Sequence, residues 1–123
     1  MSNTLGLYLH IPFCRSKCDY CDFYSLAGQE DLMPEYQKAL LAHIEECAAQ
    51  AKKEVVNSIY IGGGTPSWYG AERVKELLSA VKKKFKLARD TEITMEANPD
   101  SVDLRSLKAL RKAGFNRLSM GMQ

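Results

Sequence analysis

No apolar run in this 123-residue chain approaches the roughly 20 residues that a membrane-spanning helix needs. Met1 to Thr4 lacks the basic and apolar regions of a secretory signal, so the expected location is cytoplasmic, where thiols stay reduced. A dominant charge sign is also missing. Seventeen Lys and Arg against 15 Asp and Glu leave a net charge of +2, too little to argue for a nucleic-acid partner. The one dense basic run, Lys82-Lys83-Lys84-Phe85-Lys86, falls at the end of a predicted helix, where cations favour the dipole. What remains is an ordinary apolar fraction and a length that suits one domain with a modest core.

Cysteine is scarce, yet three of the four are crowded together as Cys14, Cys18 and Cys21, spaced Cys-x3-Cys-x2-Cys. The β-rich run Leu5 to Ile11 leads straight into them, so the thiols sit on a loop, Pro12 to about Gly28, that leaves a strand. Structural zinc wants four protein ligands, whereas three close thiolates suit three irons of a 4Fe-4S cube and leave one iron open. A zinc site closed by His10, and unliganded or disulfide cysteines, are the alternatives. Cys47 lies at helical spacing with Tyr36, Leu40, Ile44, Ala48 and Ala51, and reads as a small packed hydrophobe. His43 on the same stretch reads as a helix residue without chemistry.

Strand and helix signals alternate along the rest. Pro34 to Lys53 is a predicted helix, and Ser58 to Ile61 a short strand stopped by three glycines. Ala71 to Phe85 is a helix with Val74, Leu77, Leu78, Val81 and Phe85 facing inward, and Glu92 to Ala97 is a strand. Asp103 is a plausible N-cap for a helix carrying Leu104, Leu107 and Leu110, Gly114 stands where a left-handed residue ends it, and Phe115 to Met120 is a fourth strand. Strands separated by helices imply an α/β fold, a parallel sheet with outer helices.

Such folds place ligands beyond the carboxyl ends of their strands. Two words follow or close a strand here. Gly62-Gly63-Gly64-Thr65-Pro66 lacks the Gly-Lys-Ser/Thr ending of a P-loop and is either a tight turn or a run whose missing side chains let backbone amides approach a ligand. Glu96 is either a solvated strand-end acid or a carboxylate able to accept two hydrogen bonds from a diol.

With Tyr20 as the aromatic of Cys-x3-Cys-x-aromatic-Cys, the thiol loop resembles the signature of the radical S-adenosylmethionine (SAM) superfamily. The resemblance implies a cluster on Cys14, Cys18 and Cys21 whose open iron chelates SAM, and one-electron cleavage of the sulfonium to a 5'-deoxyadenosyl radical. Tyr8-Leu9-His10-Ile11-Pro12-Phe13-Cys14, Gly62 to Ser67, Glu96-Ala97-Asn98-Pro99 and Asn116 to Gln123 resemble the oxygen-independent coproporphyrinogen III oxidase branch. Oxidases of that branch carry a further cysteine two residues after the third. Phe23 stands there, a departure similar to the HemW-type heme chaperones, which are not thought to perform the oxidase's decarboxylation.

By that resemblance, residues 1–123 are the first four β/α units of a partial (β/α)6 barrel, a single and incomplete radical SAM core domain. It assigns Gly63, Gly64 and Thr65 to the methionyl part of SAM, Glu96 to the ribose, Tyr20 to the adenine side, and Tyr8 and Gln123 to the neighbourhood of SAM. No catalytic residue is assigned. The function implied is SAM and cluster binding in a heme chaperone. The alternatives are a radical oxidoreductase acting on a porphyrinogen, and a fragment without complete activity. An electron donor, heme bound through a region absent from this sequence, and self-association through the outer edge of the fourth strand complete the expected partners.

Overall fold

In Leu5-Gly6-Leu7-Tyr8-Leu9-His10-Ile11 every second residue is aliphatic, the pattern of a strand with one face in a core. The computed structural model describes residues 3–12, 30–63, 69–97 and 103–120. It forms this strand as β1 (Asn3–Ile11), with Leu9 and Ile11 buried. A 3-10 turn (Glu30–Leu32) leads into α1 (Met33–Gln50). Then come β2 (Glu54–Gly63), α2 (Ala71–Lys84), β3 (Leu87–Ala97), α3 (Leu104–Ala113) and β4 (Arg117–Met120).

The four strands lie side by side in chain order, every neighbouring pair parallel. Alternation then sorts the side chains. Leu9, Ile11, Ile59, Ile61, Ile93 and Met95 form one core with Ile44 of α1, Val74, Leu77, Leu78 and Val81 of α2, and Leu110 of α3. Residues of opposite parity, among them Tyr8, His10, Tyr60 and Glu96, belong to the other face.

Several elements differ from their predicted bounds. β2 and β3 are longer than the apolar runs that announced them: pairing with Asn3 carries Glu54 into the β1–β2 ladder, and β3 opens at Leu87, paired with Val56 ahead of a register shift. The glycines do not stop β2, which continues through Gly62 and Gly63 opposite His10 and Ile11. Only three helical turns of α3 fit between Asp103 and Gly114, and Leu104 in the first of them is 66% exposed, so the inward stripe is Leu110 with partial cover of Leu107.

Asp103 caps α3 as expected, its carboxylate accepting from Ser106 N at 2.7 Å, which holds the carboxyl below its ordinary pKa. Gly114 takes φ +127° at the other end. The basic run is accounted for in the same way: Lys82, Lys83 and Lys84 fill the last turn of α2, and Lys82 Nζ donates to Ala113 O at 2.6 Å, closing the end of α3.

One buried polar cluster ties α1 to α2. Tyr69, fully buried, donates to Gln37 Oε1 at 2.7 Å, while Gln37 Nε2 donates to Glu76 Oε1 at 2.7 Å and Arg73 O at 3.0 Å. Burial pushes the Tyr69 phenol up to about 12, with Arg73 opposing the shift. A phenol that ionises later in the folded than in the unfolded chain contributes stability that is complete below pH 10 and is lost as pH rises to about 12. Tyr69→Phe should therefore remove ~2 to 3 kcal/mol of the alkaline loss of stability while lowering stability at neutral pH, where Gln37 Oε1 loses its donor. Urea unfolding of both proteins at pH 7, 10 and 11.5 measures the difference.

Candidate functional site

Parallel pairing brings the carboxyl ends of all four strands to one edge of the sheet. Tyr8, Tyr60, Thr94 and Arg117 form one row across the face that the core does not occupy; one step on, His10 pairs with Gly62 and Glu96 with Ser119. A parallel sheet packed by helices on both faces reads as nearly continuous apolar runs. Here the second face is instead aromatic and charged, so it is a surface built for something other than core packing.

At the carboxyl edge the Glu96 carboxylate is held at both oxygens. Tyr60 Oη donates to Oε2 at 2.9 Å, and the Gly63 amide donates to Oε1 at 2.8 Å. Glu96 is half-buried and tied into the sheet, which sets aside the reading of a merely solvated strand-end acid. Each oxygen retains acceptor capacity, since an ionised carboxylate offers about four lone-pair sites and two are used.

Tyr8 is 59% exposed and lies face to face with Tyr60, the ring centroids 5.7 Å apart and the planes at 12°. The His10 ring lies 6.2 Å from it. Tyr8 is thus not a core residue. Desolvation first, then the Glu96 charge, raises its pKa, and desolvation with the Glu96 hydrogen bond raises that of Tyr60, against a lowering contribution from Ser119. Both phenols are neutral donors at physiological pH.

Gly62 and Gly63 are fixed by close approach. A Cβ on Gly62 would collide with Glu96 Oε1 and lie 2.7 Å from the Tyr60 ring. Gly63 has φ +118°, and a Cβ there would fall 2.6 Å from His10 Nδ1 and 2.9 Å from the Ile11 carbonyl oxygen. Glycine at these positions lets the carboxylate and the β1 end lie against β2.

The described flanks of the cysteine-bearing and glycine-rich segments are anchored to α1. The Tyr36 hydroxyl donates to the His10 carbonyl, shortly before Cys14 in the chain, and the Tyr36 ring meets that of Tyr69, which follows the glycines in sequence, at 6.3 Å. Of the residues expected to form the site, Tyr8, Gly63 and Glu96 are brought together. Cys14, Cys18, Cys21, Tyr20, Gly64, Thr65, Gln123 and Phe23 lie outside the described residues. Cys47 is half-buried on α1 and packs against the helix-side core beside Leu40 and Ile44.

Tyr60 is the residue that sequence reasoning missed. Its signal was the period of Tyr60 and Gly62 in β2, which places the phenol on the glycine face. Asn116, quoted only as part of a sequence word, is a structural clip: its side chain accepts from Ile93 N at 2.9 Å and donates to Thr91 O at 3.0 Å, seating β4 against β3.

Residues 8–123 match the description of the Radical SAM superfamily. The chain belongs to that superfamily. Within it, the chain is 44% identical over 121 residues to the heme chaperone HemW of Mycobacterium tuberculosis, which covers 96% of this chain and 31% of the relative. Identity to the Escherichia coli K12 heme chaperone HemW is 42% over 120 residues, covering 97% and 32%. Among solved structures, coproporphyrinogen III oxidase (HemN) from Escherichia coli, described as a radical SAM enzyme, superposes with a TM-score of 0.89 at 33% identity, over 99% of this chain and 28% of that one. The chain thus spans about a third of the length of these curated relatives, and its parallel sheet with helices matches the N-terminal part of a radical SAM barrel. No helix among the described residues is long and apolar enough to cross a membrane.

Proposed function

We propose that this radical SAM chain is the cluster- and SAM-binding front of a heme chaperone. The observation that carries the reading is the Glu96 carboxylate, fixed at the carboxyl edge by Tyr60 and Gly63 beside the strand that leads into the three cysteines. The residues fit the group: Cys14, Cys18 and Cys21 are the thiolate set, Glu96 has acceptor capacity left for the ribose diol, and Gly62 and Gly63 leave the room in which that carboxylate lies against β2.

Gly63, Gly64 and Thr65 line the methionyl end in this reading, the Gly63 amide acting through Glu96, with Gln123 in the neighbourhood of SAM, Tyr20 on the adenine side, and Tyr8 on the open flank beside Tyr60. Reduced cluster and SAM, when bound, supply one-electron radical chemistry. The protein's own part is to orient SAM through Glu96 and the backbone amides. A heme partner, an electron donor and self-association along β4 belong to the same proposal. Phe23 in place of a further cysteine, together with the HemW relatives, favours the chaperone over the porphyrinogen oxidoreductase that the HemN likeness keeps as a second reading.

The test is anaerobic reconstitution of the chain, iron and sulfide analysis, and titration with SAM followed by EPR of the reduced cluster. Glu96→Ala should keep its iron and bind SAM more weakly by ~1 to 3 kcal/mol, the effect of losing hydrogen bonds to a charged group. Unchanged affinity would overturn the assignment of Glu96. Turnover of coproporphyrinogen would move the function to the oxidoreductase.

A further inference from the structure

We infer that Tyr60 is a positioning residue for SAM binding, holding the Glu96 carboxylate in the orientation that receives the ribose. The inference rests on the reading of Glu96 given above and adds a residue to it. Glu96 reaches its place from β3, but both donors that fix it come from β2, the Tyr60 hydroxyl on Oε2 and the Gly63 amide on Oε1. With one donor on each oxygen, the carboxylate can neither swing away nor rotate about its last torsion without breaking a charge-assisted bond.

Tyr60 is itself held. Its ring stacks on Tyr8, and the absence of a side chain on Gly62 leaves the space in which the carboxylate lies beside that ring. A glutamate free to sample its rotamers loses that freedom on binding a ligand, whereas one already fixed has less to lose. The phenol contributes without touching SAM, by setting where the acceptor points.

The experiment is a double-mutant cycle on SAM affinity, measured by calorimetry on the anaerobically reconstituted chain for the wild type, Tyr60→Phe, Glu96→Ala and the double variant. Phenylalanine keeps the stack on Tyr8 and removes only the hydroxyl. Tyr60→Phe should weaken SAM binding about five- to tenfold, with iron content unchanged, less than the loss of a hydrogen bond made directly to a charged group because the hydroxyl acts on SAM only through Glu96. In the Glu96→Ala background the same change should have no effect, because nothing is left to orient. The preference for SAM over its 2',3'-dideoxyribose analogue should shrink in Tyr60→Phe, which a general loosening of the fold would not produce.

Full SAM affinity in Tyr60→Phe, with Glu96→Ala weakened, overturns the role of Tyr60 and leaves that of Glu96 standing. An equal loss in both backgrounds overturns it as well. Unchanged affinity in Glu96→Ala removes the reading of Glu96 and the role of Tyr60 with it.

Discussion

Cys18→Ala should leave the reconstituted chain with almost no iron, and Cys14→Ala and Cys21→Ala should do the same, while Cys47→Ala loads fully. A cube held by three thiolates has no spare protein ligand, so the loss of one leaves a second iron open to solvent. Cys47 is no substitute: it packs against the helix-side core, whereas Tyr8, Tyr60 and Glu96 belong to the opposite face of the sheet. SAM-induced changes in the EPR spectrum should vanish together with the iron. Full loading of Cys18→Ala would sink the three-thiol assignment, and one equivalent of zinc without iron-sulfur absorption would establish the closed zinc site instead.

Gly63→Val should unfold the carboxyl end of β2 and abolish SAM binding. Two costs add at this position. Valine is strained at φ +118°, by roughly 1 to 3 kcal/mol for a non-glycine residue held in such a region. Its Cβ also meets the His10 ring and the Ile11 carbonyl oxygen, and the latter is backbone in the partner strand that cannot step aside. A total loss of about 3 kcal/mol or more is expected, at the severe end for single substitutions. Displacing the Gly63 amide also takes a donor from Glu96. Gly70→Ala is the control: Gly70 has a similar φ of +113°, but among the described residues a Cβ there comes no nearer than 4.0 Å to Arg73, so it carries strain without such a collision. Thermal unfolding and SAM titration of both variants decide between these effects; equal stability of Gly63→Val and wild type would remove the close-packing argument.

The order of strands and helices was legible in the sequence because each element announces its buried face by its period. Val74, Leu77, Leu78, Val81 and Phe85 are all buried, and Asp103 and Gly114 end α3 as their chemistry requires. The early starts of β2 and β3 were not legible, since Glu54 is in a strand only because Asn3 of β1 pairs with it, and β3 is opened by the Leu87–Val56 pair ahead of a register shift. Gln37 was likewise hidden. A glutamine inside a helical stripe carries no sign that a tyrosine 32 positions away will meet it. At the site, Glu96 and Gly63 stood out by residue type at a strand end. Their mutual hydrogen bond, and the part played by Tyr60, depend on the register between β2 and β3, which no local pattern encodes.

In this sheet spatial order repeats chain order, β1-β2-β3-β4. During synthesis, each strand after the first leaves the ribosome with its pairing partner already made, so no unpaired strand has to wait for a later segment to fill a gap between two others. Each β/α unit can dock on the one before it as it emerges, which keeps loop closures short and confines the open edges to β1 and the newest strand.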